Sequence, residues 1–593
     1  MFTRRLFEIL AIVFVFTAVP TRAQDSVAAH HGRGRIVVLM VWDGLRPDFV
    51  TQRDTPNLFR MARDGVRFDR HHSIFPTLTM VNATALATGA PPGVNGLEGN
   101  NFYLWPSPEI SKGQMVSAEG SGAILNLNGA DGFKGRLIGL DTIVQEVARE
   151  GGYVGVIGKQ GPTSVFDNRV ATIVDGKDIV GEPHKDYLFA SEDLVAPASE
   201  IQKINVPSDS KTTVADEQRD LYFARLVVEN ALPAAKAAAD AGRPALVVFW
   251  QHNPDLTQHL AGLGTLPAME ALTLCDNNLM RVRAAIDALG IAGKTDLIVV
   301  SDHGFATIKF RIVLSEMLVS AGIKKSHDST DVVVVPNGGA DLVYLSPTEF
   351  ATPESKRAVL QKIVNFAEAQ EWCGPIFSRD PATTPDEPSR RGHRQRAPKP
   401  YLGWIDGTFS QRVVGLYNPA RSPDLVISFR EVPDDDNKNL TGPGNPAFLI
   451  GQIGQVSMPN KSAPLMHPVK GLMYADTGTS QTFTTGMGMH GAAGEREIHN
   501  FCAATGPDFR RGFVDVNPTA NTDVAPTITE ILGTLPNIGP GGVTSAGRSM
   551  AEALTDGRRS AGGAHTQTMT ADLMLQGVEA VTTLRVTWIG DEP

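Results

Sequence analysis

Apolar residues recur along the chain in short unbroken runs, and several of these runs end on a carboxylate. Residues 35–41, RIVVLMV, lead straight into Trp42-Asp43-Gly44. An uninterrupted apolar run of strand length predicts a strand buried on both faces. The same reading gives strands at Tyr153–Gly158, Ala245–Trp250 and Asp296–Val300. Between them the spacing changes to that of helices: Pro56–Arg63 behind Thr55 as N-cap, a start at Leu78–Leu86, Leu140–Glu150, Ala215–Asp240, Ala268–Leu289 and a last helix at Ala525–Leu535. Strands alternating with helices predict an α/β fold, a mostly parallel sheet with helices on both faces.

With 593 residues, 42% of them hydrophobic and 20% charged, the chain can bury a large core. Length alone would suggest about four domains. The polar residues that end the runs argue instead for a single discontinuous catalytic domain over 36–555, because residues as distant as 43 and 490 must meet. Insertions are expected near 104–135, 375–412 and 436–480. The second carries a basic run, PDEPSRRGHRQRAPKP, that reads as a solvated loop or as a lid leaning over an anionic substrate. Residues 556–593 read as a linker and an amphipathic tail.

Residues 1–23 have the layout of an export signal: Arg4 and Arg5, an apolar run from Leu6 to Val19, and Thr21-Arg22-Ala23 at the cut. The start also resembles a twin-arginine signal, although Glu8 interrupts it, and an uncleaved anchor is the alternative. A periplasmic or secreted protein is expected, with no stable membrane partner. Removing these residues leaves 51 basic against 63 acidic residues, a net −12, so binding to polymeric nucleic acid is not expected. Cys275, Cys373 and Cys502 are too few for a disulfide framework; one bridge or none is open.

The chemistry lies in short motifs at the run ends: Asp43 in VVLMVWDG, Thr79 in FPTLTMVN, Asp255 and His259 in NPDLTQH, Asp302 and His303 in LIVVSDHG, and His490 in GMGMHG. Singly, each has an ordinary role as cap, turn or surface residue. Together, carboxylates, imidazoles and one hydroxyl are what a two-metal phosphoryl-transfer site needs, and the mixed Asp/His set suits zinc. Asp255 and His259 are four apart, so one helical turn aims both at one ion. Asp302 and His303 can share a site only if their strand has ended, which Gly304 allows.

At these positions the chain resembles the alkaline phosphatase superfamily, and within it the type I phosphodiesterases/nucleotide pyrophosphatases. The resemblance is carried by Pro76-Thr77-Leu78-Thr79-Met80-Val81-Asn82, Thr88-Gly89, Gly99-Asn100-Asn101-Phe102-Tyr103, Pro254-Asp255 with His259, and Ser301 to Gly304, over roughly residues 36–535. It implies an alkaline-phosphatase-like core with cap insertions. It implies two Zn2+ per chain, one on Asp255, His259 and His490, the other on Asp43, Asp302, His303 and Thr79. Thr79 is then the nucleophile, and Asn100 and the Thr79 N–H bind the phosphoryl oxygens of a small phosphate ester or nucleotide. Related monoesterases place a lysine and an arginine where this chain has Lys159-Gln160-Gly161, so Lys159 is a substrate-binding candidate. The missing arginine is expected to leave room for a diester's second substituent. A monoesterase or phosphonate hydrolase using Lys159 stays open as an alternative, as does a silent relative that binds a phosphorylated ligand. His71 and His72 read as structural.

Overall fold

A computed structural model describes residues 32–589, apart from 33, 108–109, 121–122, 130–131, 134, 169–188, 191–212, 382–400, 433–470, 479–482, 535–545, 558–562 and 576. The expected signal segment, His30, His31, the basic run at 390–396 and most of the 436–480 excursion lie outside the described residues.

The largest sheet has eight strands in the order Phe513–Ala520, Val66–His72, Cys502–Thr505, Thr295–Val300, Ile36–Trp42, Ala245–Gln251, Tyr153–Gly158, Phe189–Ala190. Its centre is parallel, and Cys502–Thr505 runs against both neighbours. Every side chain of Ile36–Trp42 is buried. Val37, Leu39 and Val41 pack on one face with Leu86 and Ile528, while Ile36, Val38, Met40 and Trp42 pack on the other with Leu232 and Leu279. Such two-sided burial explains the unbroken apolar run, since neither face needs polar residues. The mostly parallel sheet with covering helices is the alkaline-phosphatase-like α/β arrangement.

Four neighbouring strands end at one level. Trp42 pairs with Gln251, Val41 with Val300, and Trp250 with Gly158. Residues just beyond these ends therefore meet along one edge of the sheet, where open α/β sheets collect ligand chemistry. The expected helices form at Pro56–Asp64, Thr79–Thr88, Leu266–Ala288 and Asn521–Leu532. The 215–240 stretch is a helix interrupted by a π-turn at Val227–Ala231.

A five-stranded sheet contains Val332–Pro336, Ala340–Leu345, Leu425–Phe429, Cys373–Ser378 and Phe409–Ser410, so the ends of the 375–412 stretch are strands. A four-stranded sheet delivers Gly488–Met489, and with it His490, beside Ala306–Ile312. Within 104–135 the chain makes a hairpin, Asn101–Leu104 with Gln114–Ser117, and a helix at Ala123–Asn128. The tail is a hairpin too, Ala564–Leu575 with Val578–Ile589. Its amphipathic period is that of a strand, with Met569 and Ala571 inward. No disulfide joins the three cysteines. Among the described residues no helix is long and apolar enough to cross a membrane.

Candidate active site

Asp43, Lys159, Asp255 and Asp302 all follow the level strand ends, within a few residues of Trp42, Gly158, Gln251 and Val300. The turn after Trp42 requires Gly44. Its φ is 69°, and a Cβ there would lie 2.7 Å from the Phe305 ring and 3.2 Å from Asp255 Cα. Asp255 opens the helix Asp255–Ala261 and His259 lies one turn on, as the spacing predicted. Asp302 lies beyond its strand and uses Oδ1 to accept the N–H groups of Gly44 and His303, each at 2.9 Å.

The carboxylates and imidazoles face a common centre. Asp255 Oδ1 lies 3.3 Å from His259 Nε2 and 3.5 Å from His490 Nε2. His303 Nε2 lies 3.2 Å from Asp302 Oδ2, 3.6 Å from Asp43 Oδ1 and 3.2 Å from the Thr79 hydroxyl. The rings of His303 and His490 stack with centroids 3.6 Å apart. Each histidine binds a backbone carbonyl through Nδ1: Gly488 for His259 at 2.8 Å, Gly304 for His303 at 2.9 Å, Thr77 for His490 at 2.8 Å. The Nδ1 atoms therefore carry the protons, and the Nε2 lone pairs point at the centre.

Among the described residues two groups have metal-holding geometry: Asp255, His259 and His490, and Asp43, Asp255 and His303. The first is the set expected for one ion. The second shares Asp255 and leaves out Asp302, although Asp302 Oδ2 adjoins His303. A direct fit test comes from the buried oxygens. Asp43 Oδ1, Asp255 Oδ1 and Asp302 Oδ2 have no hydrogen-bond donor. Burial, with Asp255 beside it, pushes Asp43 up to about 7; burial and the charge of Asp43 hold Asp302 well above its ordinary value. Burial holds His303 down at about 4, and it also keeps His490 well below its ordinary value, with His303 adding to the effect. Burial would lower His259, but the charge of Asp255 beside it holds it above its ordinary value. Crowded carboxylates with open oxygens beside these imidazoles match the needs of divalent cations.

Thr79 is the first residue of the buried helix Thr79–Thr88, whose N-cap, Leu78, offers no side-chain bond. Asn100 Oδ1 takes the Met80 N–H at 2.9 Å, and Asn100 Nδ2 donates to Glu119 at 3.0 Å. Thr77 ties this loop to the His490 loop, with Oγ1 donating to the Ala492 carbonyl and accepting the Gly491 N–H. Asn82 closes the same loop on Ile74. His71 is structural, as expected: it contacts Thr519 and Asn521, and Asn521 donates to the Asp302 carbonyl. His72 sits against the Thr519 carbonyl, away from the cluster.

Lys159 does not stand clear of the carboxylates. Its Nζ lies 3.0 Å from Asp43 Oδ2, 3.1 Å from Glu119 Oε1 and 3.7 Å from Asp255 Oδ2. Burial would lower its pKa, but Asp43, Glu119 and Asp255 outweigh it and hold the ammonium well above its ordinary value. The chain is closely approached at Gly161. A Cβ there would meet Glu119 Cα at 3.0 Å and Met80 Sδ at 3.1 Å, so the glycine permits Glu119 to sit this close.

Sequence reasoning missed two residues. Trp250 Nε1 donates to Asp43 Oδ2 at 2.9 Å, and Glu119 touches Asn100 and Lys159. Trp250 was visible as the end of an apolar strand one position before Gln251; nothing in the 104–135 stretch marked Glu119.

We find no curated protein that matches the chain. A family match covers residues 37–431, two thirds of the sequence, and includes every candidate residue except His490, which stands on geometry alone. The family is metal-dependent and acts on small phosphate esters or nucleotides. The matched family is that of the type I phosphodiesterases / nucleotide pyrophosphatases, within the alkaline phosphatase superfamily, and the chain belongs to it.

Proposed function

We propose that this protein is an exported, zinc-dependent hydrolase of phosphoric diesters or nucleotide pyrophosphate bonds that works through a phospho-threonine. The observation that carries this reading is the place of the Thr79 hydroxyl. It sits at a helix start, 3.2 Å from His303 Nε2, beside the buried carboxylates whose outer oxygens lack donors. Two divalent ions in this donor set, held by Asp255, His259 and His490 and by Asp43, Asp302, His303 and Thr79, would favour the alkoxide of a bound alcohol and offset phosphoryl charge.

The residues have separable roles in this scheme. Thr79 gives up its proton as Oγ1 attacks phosphorus; the new O–P bond forms as the bond to the leaving oxygen breaks, and the leaving oxygen takes up a proton as the alcohol or nucleotide exits. Water then attacks the threonine ester, releasing the second product and restoring the hydroxyl. The Thr79 N–H lies at the positive end of its helix, whose N-cap Leu78 offers no side-chain bond, and is a candidate donor to a phosphoryl oxygen. Asn100 is pinned by Met80 and Glu119, which supports a fixed donor at the same position. The carbonyls of Gly488, Gly304 and Thr77 keep the three imidazoles in the tautomer that presents Nε2.

The test is a side-by-side measurement of kcat/KM on an aryl phosphate diester and its matching monoester. The diester is expected to be preferred; a large monoester preference that collapses in Lys159→Ala would replace this reading with a monoesterase. Export is tested by fractionating cells that express the full chain, with mature protein starting after Ala23 expected outside the cytoplasm.

A further inference from the structure

Glu119 enters the scheme above only as a partner that fixes Asn100, yet it also touches Lys159. It lies in the turn after the Gln114–Ser117 strand, with its side chain 34% exposed. Oε1 is 3.1 Å from the Lys159 ammonium, and Oε2 accepts the Asn100 amide at 3.0 Å. One carboxylate therefore spans the pocket's nearest cation and its nearest amide donor. The backbones come close here: a Cβ at Gly161 would lie 3.0 Å from Glu119 Cα, so the glycine permits this approach. The position two residues beyond Lys159 thus carries no second cation; it holds an anion in place. Lys159 has no charge to spare either, since Asp43 and Asp255 share it with Glu119.

We propose that Glu119 is a specificity-determining residue, whose carboxylate sets the pocket to take a phosphoryl group bearing one negative charge, as in a diester, and to reject the dianion of a monoester. The inference rests on the phosphoester-hydrolase reading above. A second negative charge on the substrate's free oxygens would approach an acidic group that already occupies Lys159 and Asn100, and the first charge is common to both substrate classes. Like charges a few ångströms apart near a protein surface interact by more than a factor of ten, and the partial exposure of Glu119 reduces this to about that size. Glu119 makes no bond to phosphorus and acts on the choice of substrate through charge.

The test uses the full metal-loaded chain and the variant Glu119→Gln, which keeps the side chain's size and one acceptor oxygen, turns the other oxygen into an NH2 donor and removes the charge. The readout is the ratio of kcat/KM for 4-nitrophenyl phosphate to that for bis(4-nitrophenyl) phosphate, at a pH where the monoester is a dianion. The ratio is expected to rise by about tenfold or more; a smaller rise overturns the proposal. A purely structural role would lower both rates together and leave the ratio alone. A second measurement needs no variant: inhibition of the wild type by dimethyl phosphate, a monoanion, against methylphosphonate as the dianion. The dianion is expected to bind no more tightly; binding about tenfold tighter or more overturns the proposal. Wild-type protein that hydrolyses neither ester strikes the underlying reading, whereas hydrolysis with an unmoved ratio strikes Glu119 alone.

Discussion

Replacing Trp250 with Phe tests whether the carboxylate of Asp43 is held in place for a metal. Asp43 is buried; its Oδ2 takes the indole N–H at 2.9 Å and the Lys159 ammonium at 3.0 Å, while Oδ1 is left open toward His303. Phe keeps an aromatic ring against Phe166 and removes the donor at Asp43, leaving a small buried cavity whose cost the melting control registers. A hydrogen bond to a charged group contributes about 1.5–3 kcal/mol, and losing a partner of a ligating side chain typically weakens metal binding by about 10–100-fold. The two ranges agree, since about 1.4 kcal/mol is one power of ten. The assay is activation of the stripped enzyme in chelator-buffered zinc, with thermal melting as the control for folding. The zinc concentration for half activation should rise about 10–100-fold, and the maximal rate at saturating zinc should return to near the wild-type value. If a well-folded Trp250→Phe protein is half-activated at the wild-type zinc concentration, the indole does not support a ligand and the assignment of Asp43 to the metal fails.

Thr79→Ala should lower turnover by at least about a thousandfold while metal content by elemental analysis stays near wild type, because the Asp and His donors remain; near-normal turnover would return Thr79 to a helix-start role. Protein purified without chelator should carry about two zinc ions per chain, and chelation should both abolish hydrolysis and lower the melting temperature; activity that survives chelation would refute the metal centre. Glu98 is buried, and burial pushes its pKa up to about 8 against the opposing influence of Ser422, Arg379 and Arg421. A raised carboxyl stabilises the fold fully below its unfolded value of about 4.5 and loses that contribution as pH rises through about 8. The melting temperature of Glu98→Gln should therefore fall less than that of wild type between these pH values, and parallel profiles would refute the assignment.

Much of the active-site edge was legible because each part of it is local. Runs such as residues 36–42 are apolar throughout since their strands are covered on both faces, and the polar residue that ends each run is where the strand leaves the core. Asp255 and His259 sit on one helical turn as their spacing requires. Sheet order was not legible. Periodicity says that Ile36–Trp42 is a buried strand, but not that it lies between Ala245–Gln251 and Thr295–Val300. Nor does it show that Val332–Pro336 and Ala340–Leu345 join a separate sheet with Leu425–Phe429. Asn100 was read as a donor alone, whereas its oxygen is committed to Met80, a contact twenty residues away that no local pattern marks. The same holds at Gly161: a missing side chain is visible in sequence, and the Glu119 backbone that lies against it is not.

The histidines show why a motif is a weaker unit than the site it serves. A neutral imidazole can present either nitrogen, and only the one whose partner is fixed elsewhere becomes a dependable ligand. Here that fixing comes from Gly304, beside His303 in sequence, from Gly488, which is 229 residues from His259, and from Thr77, which is 413 residues from His490. Thr77 in turn is held by the loop it orients, through the Gly491 N–H. The Thr77–Thr79 loop and the His490 loop thus set each other's geometry. This explains how His490, beyond the matched family region, can complete a ligand set with residues matched inside it. It also places a burden on the fold, because buried carboxylate oxygens without donors destabilise a protein unless a cation or proton meets them. Binding the ions would relieve that cost only in the folded chain, so the same residues that prepare the chemistry also couple metal binding to stability.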